Sequence, residues 1–301
     1  MSLFTIMTDT NSDLPDEFIE EHGVKMLPIP YTLDGIPHND GRWQEISDKD
    51  FYNALGNGST AATALINPEV FIDVFTEYAK RGESLLMLTL SSGLSGTYQN
   101  SIIALNDIKS IFPNCDIHVV DSTNAAGGAG LLNVLAVKKR AEGFSAGETA
   151  AWLEEKKHSC FSLFTVNDLM YLRRGGRLSG LSAVAGSIIG IKPLLNVAPD
   201  GTLTLKDKVR GRKASLSMLV SQMKRCLNNS TDLDIVLISH SNCLEDAQSL
   251  ADMVRAAVKV NEIKLVMMSP VIGAHVGPGT LALFYESDMT REEYEAKFYT
   301  K

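Results

Sequence analysis

Short apolar runs alternate along the chain with stretches of helical periodicity, the pattern of strands interleaved with helices. Residues 85–90, LLMLTL, are continuously apolar, as expected of a strand buried on both faces of a parallel sheet, and residues 117–120, IHVV, form a second such run. Residues 4–7 and 26–31 read as two further strands. Each of the two apolar runs leads into a small polar loop and then into a helical stretch, at 97–107 and 130–142. Asn67-Pro68-Glu69 opens a helix, because proline at the first helical position forfeits no hydrogen bond. Val70, Phe71, Val74, Phe75 and Tyr78 form its apolar face, and Gly82 ends it. Asp13 ahead of Pro15 predicts a capped helix start, Ser47 caps another helix, and Ser145 with Glu148 fits a capping box.

In the second half, strands at 191–197 and 203–209 flank Asp200-Gly201, a hairpin signal. Further strands are expected at 235–239, 263–268 and 281–285, with helices at 212–227 and 245–258. A stretch of small residues occupies 182–190. The expectation is an α/β protein of two α/β domains, 1–158 and 159–301, with mainly parallel sheets.

Composition narrows the function classes. At about 150 residues per domain, 301 residues fit two domains, and 45% hydrophobic with 21% charged residues excludes disorder and fibrous architectures. Lys and Arg total 28 against 36 Asp and Glu, and the net charge of −8 opposes attraction to phosphate backbones, so no nucleic-acid partner is expected. No apolar run reaches 18 residues and no basic-then-apolar leader opens the chain, which predicts a cytoplasmic protein without stable membrane insertion. The four cysteines form no CxxC pair and the histidines never pair at i, i+4, so the spacing supports neither a metal site nor a disulfide framework; no cofactor is expected either.

In α/β sheets ligands bind where strands end, which singles out the loops at 8–12, 91–97 and 121–124. The loop Ser91-Ser92-Gly93-Leu94-Ser95-Gly96-Thr97 offers free backbone N–H groups ahead of a helix and suits a carboxylate or phosphate. The same residues fit a plain turn in which Ser95 and Thr97 cap the helix. Asp9 and Asp121 read as loop anchors rather than a catalytic carboxylate pair. The run Arg173-Arg174-Gly175-Gly176-Arg177 fits an anionic ligand or acidic surface as well as it fits a solvated turn. His275 sits in a glycine-rich loop where backbone can approach a ligand closely.

Taken in order, these motifs make the sequence similar to the DegV family of bacterial fatty-acid-binding proteins over nearly its whole length. Met7-Thr8-Asp9-Thr10, the block from Thr63 to Phe71, Ser91 to Tyr98 and Val119-Val120-Asp121-Ser122 match family motifs in the first half. Tyr171 to Leu178, Ile191 to Leu195 with Asp200-Gly201, Lys208 to Ala214 and the HVGPG of His275 to Gly279 match in the second. The resemblance implies a long-chain fatty acid, such as hexadecanoate, held in an apolar tunnel between the two domains. It further implies a separate fatty-acid kinase that phosphorylates the acyl carboxylate for phospholipid synthesis, with this chain as a carrier and not itself an enzyme. Thr63 and Ser95 would hold the carboxylate, with Ser92, Gly96 and His275 as neighbours, and Arg174, Arg177 and Arg210 would face the kinase. A P-loop is absent, which fits phosphoryl transfer by the partner. Ala64 and Leu65-Ile66-Asn67 depart from the family's Ser-Gln-Pro-Ser, and residues 290–301 lie beyond the matched motifs, as a docking helix or a frayed end. The competing reading is a serine-type acyl hydrolase using Ser95 or Ser92 with His275 and Asp121, although no GxSxG elbow surrounds either serine.

Overall fold

The computed structural model describes residues 4–39, 45–177, 190–227 and 232–299. The small-residue stretch, apart from Gly190, lies outside them. In chain order the strands are β1 (Thr5–Asp9), β2 (Lys25–Leu27), β3 (Tyr31–Leu33), β4 (Ile36–His38), β5 (Ala61–Thr63), β6 (Leu85–Thr89), β7 (Ile117–Asp121), β8 (Cys160–Thr165), β9 (Ile191–Val197), β10 (Leu203–Arg210), β11 (Asp232–His240), β12 (Lys259–Met267) and β13 (Leu281–Glu286). The helices are α1 (Asp16–His22), α2 (Asp48–Gly56), α3 (Pro68–Arg81), α4 (Thr97–Ile111), α5 (Gly127–Ala141), α6 (Ala146–Lys156), α7 (Met170–Arg174), α8 (Arg212–Cys226), α9 (Leu244–Ala257), α10 (Pro270–Val276) and α11 (Arg291–Phe298).

The described residues form three sheets. The first, ordered β2-β1-β6-β7, is parallel throughout, as the apolar runs predict, and every residue of β6 is buried. The largest is ordered β10-β9-β8-β13-β11-β12, and a small antiparallel sheet, β4-β3-β5, carries Thr63. The α/β class holds, but the expectation of mainly parallel sheets fails in the largest one, where among the described residues β11 and β12 are the one parallel pair. Residue periodicity reports which face is buried and not which way a strand runs. Here the turn at Asp200-Gly201 sends β10 straight back along β9, and β13 inserts between β8 and β11 antiparallel to both.

α5 joins the two larger sheets. Every residue from Gly127 to Val137 is buried, and the helix packs on β1 and β6 from one side and on β8, β11 and β13 from the other. A helix apolar all round belongs in an interior, and its glycines admit close neighbours. A Cβ on Gly127 would lie 2.6 Å from the Phe284 ring, and one on Gly128 would lie 2.5 Å from the Ser162 hydroxyl. α3 and α4 cover the opposite face of the first sheet, and α8 and α9 the opposite face of the largest.

The expected caps hold at Ser47 and at Ser145 with Glu148, and α3 opens at Pro68, without a side-chain cap from Asn67, and ends at a left-handed Gly82. Asp13 does not cap α1; its carboxylate instead accepts from the Ser269 backbone N–H at 3.0 Å, fastening the start of α10. The strand expected at 26–31 is two strands, because Pro28 and Pro30 offer no N–H to a ladder. Residues 290–298 are neither frayed nor loose: Thr290 and Glu293 form a capping box, and Arg291 and Tyr294 are buried.

Candidate functional site

A cavity of ≈ 320 Å³ opens among the strand-end loops of the first sheet, one face of the largest sheet, β5 and α10. That volume is in the range of small-molecule sites. Its walls are largely apolar: Leu90, Leu94 and Ala126 come from the loops, Phe164, Ala282 and Phe284 from the largest sheet, and Val271, Ile272 and Val276 from α10. The alternation along β8 explains the inward set, since Ser162 and Phe164 face the cavity while Phe161 and Leu163 pack on α8 and α9. No aspartate or glutamate is among the described lining residues.

The polar groups gather around His275. Thr63, the last residue of β5, places Oγ1 2.8 Å from His275 Nε2. His275 lies in the last turn of α10 rather than in a loop, and two glycines after it make that placement possible. Gly277 has φ +71° with the Tyr171 ring where a Cβ would stand, and Gly279 has φ +77° against the Asn167 amide. Gly175 passes beneath the imidazole so closely that a Cβ would meet Nδ1 at 2.2 Å. Nδ1 is buried and has no hydrogen-bond partner among the described residues. Burial, helped by the nearby Arg177 cation, lowers the imidazole pKa from 6.5 to about 4, so the ring is neutral at physiological pH.

Arg177 lines the cavity, with Nε donating to the Leu94 carbonyl at 3.1 Å and Nη1 to the Gly175 carbonyl. Ser95, next to Leu94, also lines it. Its Oγ accepts from the Thr97 backbone N–H at 3.2 Å and lies 3.0 Å from Thr97 Oγ1. Ser95 thus lines the cavity while its hydroxyl holds the turn ahead of α4, and the N-cap of that helix is Gly96 rather than Ser95 or Thr97. Gly96 rests against Leu65, where a Cβ would lie 3.3 Å from its Cδ1. Ser92 and Gly96 do not line the cavity. Two other lining hydroxyls face protein groups: Ser162 donates to the Asn124 side chain at 2.7 Å and Thr280 to the Val276 carbonyl at 2.9 Å.

The hydrolase triad does not assemble. Asp121 Oδ1 accepts from the backbone N–H groups of Ser92 and Thr123, His275 Nε2 is engaged by Thr63, and Ser95 by Thr97. Asp9 is likewise a loop anchor, accepting from Leu90 and Asn11 N–H groups, and its burial pushes its pKa up. Arg174 and Arg210 are exposed, Arg174 over the Tyr171 ring, whereas Arg177 belongs to the cavity wall. The resemblance makes Arg177 partner-facing together with Arg174 and Arg210, and nothing in its run of residues distinguishes an inward guanidinium from an outward one. The apolar lining of α10 was also missed, although the run Val271-Ile272 beside a histidine carried the signal.

A parallel four-stranded sheet and a mixed six-stranded sheet, sharing one buried helix and closing on an apolar cavity with a cluster of polar groups in its wall, define the class of this protein. The family described as uncharacterised proteins of the DegV family matches residues 3–288, and the chain belongs to the DegV family. It is 38% identical over 288 residues to a DegV domain-containing protein of Clostridium perfringens, covering 96% of this chain and 99% of that one. A structure reported as fatty-acid binding by a DegV family protein from Thermus thermophilus superposes with TM-score 0.85 at 26% identity, covering 95% of this chain and 100% of that one. A DegV lipid-binding protein of Thermotoga maritima gives TM-score 0.85 at 26% identity over 96% of this chain and 100% of that one. Among the described residues no helix is long and apolar enough to cross a membrane, and no group of His, Cys, Asp and Glu could hold a metal ion.

Proposed function

We propose that the chain is a fatty-acid carrier: it holds a long acyl chain in the apolar cavity and the acyl carboxylate at Thr63 and Ser95. The observation that carries this reading is the meeting of the Thr63–His275 pair and Arg177 in the wall of an otherwise apolar cavity with no acid among its described lining residues. Burying about 14 methylenes at roughly 0.8 kcal/mol each stabilises the complex by about 11 kcal/mol before the costs of association. A carboxylate cannot enter such a site without donors. With the proton of the neutral imidazole on Nε2, His275 donates to Thr63 Oγ1, leaving the threonine O–H free to donate to a carboxylate oxygen. The Arg177 guanidinium adds the compensating charge. The structures from Thermus thermophilus and Thermotoga maritima, described as fatty-acid and lipid binding, support the same reading.

In this reading residues 1–158 and 159–301 act as two domains around one site in a cytoplasmic protein. A separate kinase phosphorylates the presented carboxylate, with the exposed Arg174 and Arg210 toward it, and the acyl phosphate feeds phospholipid synthesis. Organic extraction of the purified protein followed by mass spectrometry tests the first step. A long-chain fatty acid in about equimolar amount is expected. Absence of lipid, together with no uptake of added hexadecanoate, overturns the carrier reading. Fatty-acid-dependent phosphate transfer on mixing with a fatty-acid kinase tests the second.

A further inference from the structure

Arg291, the first residue of α11, is 1% exposed. Its Nη1 donates to the carbonyls of Thr123 and Ala198, each at 2.9 Å, and its Nη2 to Thr123 Oγ1 at 2.6 Å and the Lys157 carbonyl at 3.3 Å. All four acceptors are main-chain carbonyls or a hydroxyl, and none is a carboxylate. A guanidinium buried this way is a costly group, and it fixes three separate segments of chain at one point. It lies outside the residues matched by the family.

Two of those segments lead to Ser95. Thr123 has φ +44°, a conformation that a β-branched residue adopts only when its surroundings hold it. Arg291 holds it by its carbonyl and hydroxyl, and Asp121 holds its N–H; the same Asp121 oxygen takes the Ser92 N–H. The other route runs through the hairpin turn. Ala198 O accepts from Arg291 and also from Gly201 N, and the Gly201 carbonyl accepts from Ser91 Oγ at 2.9 Å. The contacts leave no slack: a Cβ on Gly93 would lie 2.7 Å from the Gly201 carbonyl carbon, and one on Gly201 would lie 2.1 Å from Ser91 Oγ. Leu94 and Ser95 then hang from the Ser91 carbonyl, each through its backbone N–H at 3.1 Å.

We infer that Arg291 is a positioning residue of the carboxylate site, fixing the 91–95 loop through Thr123 and the Asp200-Gly201 turn so that Ser95 meets the ligand in one geometry. The inference rests on the fatty-acid reading above. Affinities for hexadecanoate and for hexadecan-1-ol, which shares the tail but lacks the carboxylate, are compared in wild type, Arg291→Met, Arg291→Lys and Thr123→Val, alongside amide hydrogen exchange of the ligand-free proteins. Arg291→Met is expected to weaken hexadecanoate binding by about five- to tenfold while the alcohol changes less than about twofold. Arg291→Lys recovers part of the loss, and the Leu94 and Ser95 amides exchange faster in Arg291→Met. Thr123→Val, which removes one of the four bonds, gives the same pattern at smaller size and serves if Arg291→Met does not fold. Equal losses for acid and alcohol, or unchanged exchange at Leu94 and Ser95, overturn the inference. Wild type that binds the alcohol but not the acid overturns the fatty-acid reading itself, while faster exchange in the variants still supports the link to the loop.

Discussion

The Nε2 of His275 stands 2.8 Å from Thr63 Oγ1, a side-chain hydrogen bond that ties α10 to the end of β5 across 212 positions of sequence. Replacing Thr63 by valine keeps the shape and removes the hydroxyl. Hexadecanoate affinity is expected to fall by about 1–3 kcal/mol, because a buried carboxylate oxygen loses its donor. Titration with hexadecanoate checks this, and unchanged affinity would remove Thr63 from the site. Ser95→Ala is expected to lose a similar amount and some thermal stability besides, since Ser95 Oγ also holds the Thr97 N–H.

The buried imidazole makes stability depend on pH. Its pKa is about 4 in the fold against 6.5 for an unperturbed ring, so between those values the unfolded chain binds the proton more strongly. The His275 contribution is fully present above about pH 6.5 and is lost as pH falls toward 4, a change of about 3 kcal/mol at 1.36 kcal/mol per unit. Urea unfolding at pH 7.0 and 4.5 is expected to show a smaller acid loss in His275→Gln than in wild type. Equal losses would mean that the ring does not titrate in this way. Arg177→Ala removes one cause of the lowered pKa and is expected to raise it, which histidine ring NMR shifts report directly.

Two adjacent glycines, of which only Gly175 lies against the imidazole, separate space from backbone conformation. Gly175 has φ −72° and would place a Cβ 2.2 Å from His275 Nδ1, so Gly175→Ala is expected to displace the ring and weaken hexadecanoate binding by about tenfold. Gly176 has φ +73° and open space around it, so Gly176→Ala is expected to lower stability by about 1 kcal/mol and leave affinity unchanged. The reverse order of effects would move the imidazole out of the binding geometry.

Arg210 and Arg177 are expected to divide binding from transfer. Arg210 is exposed at the end of β10, and Arg210→Ala is expected to leave hexadecanoate affinity within about twofold while reducing kinase-dependent phosphorylation. Arg177→Ala, which takes a cation from the cavity wall, is expected to reduce affinity for the acid more than for the alcohol. Equal loss of binding in both variants would put Arg210 in the pocket.

The first sheet is readable above all from the apolar run of β6, with the polar loops that follow its strands marking the strand ends where the cavity lies. Helices with strong local signals, such as Pro68 and Gly82 around α3, were equally plain. What local pattern does not carry is long-range partnership. The side chain of Asp13 has the chemistry of a cap wherever it sits, and its choice of Ser269 is made by the packing of α10. The inward turn of Arg177 depends on the Leu94 carbonyl 83 positions away. Ser95 was legible from its motif, whereas Arg291 lies in a charged, polar tail, and its burial follows only from the carbonyls of three distant segments.

α5 turns one apolar surface to each of the two larger sheets, so neither half of the molecule owns it. Its partners on the two sides must therefore match as a set. A chimera that joins one half of this chain to the other half of a relative inherits two surfaces shaped for different helices, and a fragment ending at residue 158 exposes the side of α5 that Phe284 and Ser162 cover. The cavity beside this helix is thus a property of the pairing, and adaptation to a ligand of different shape has to proceed by changes accommodated on both sides of the seam.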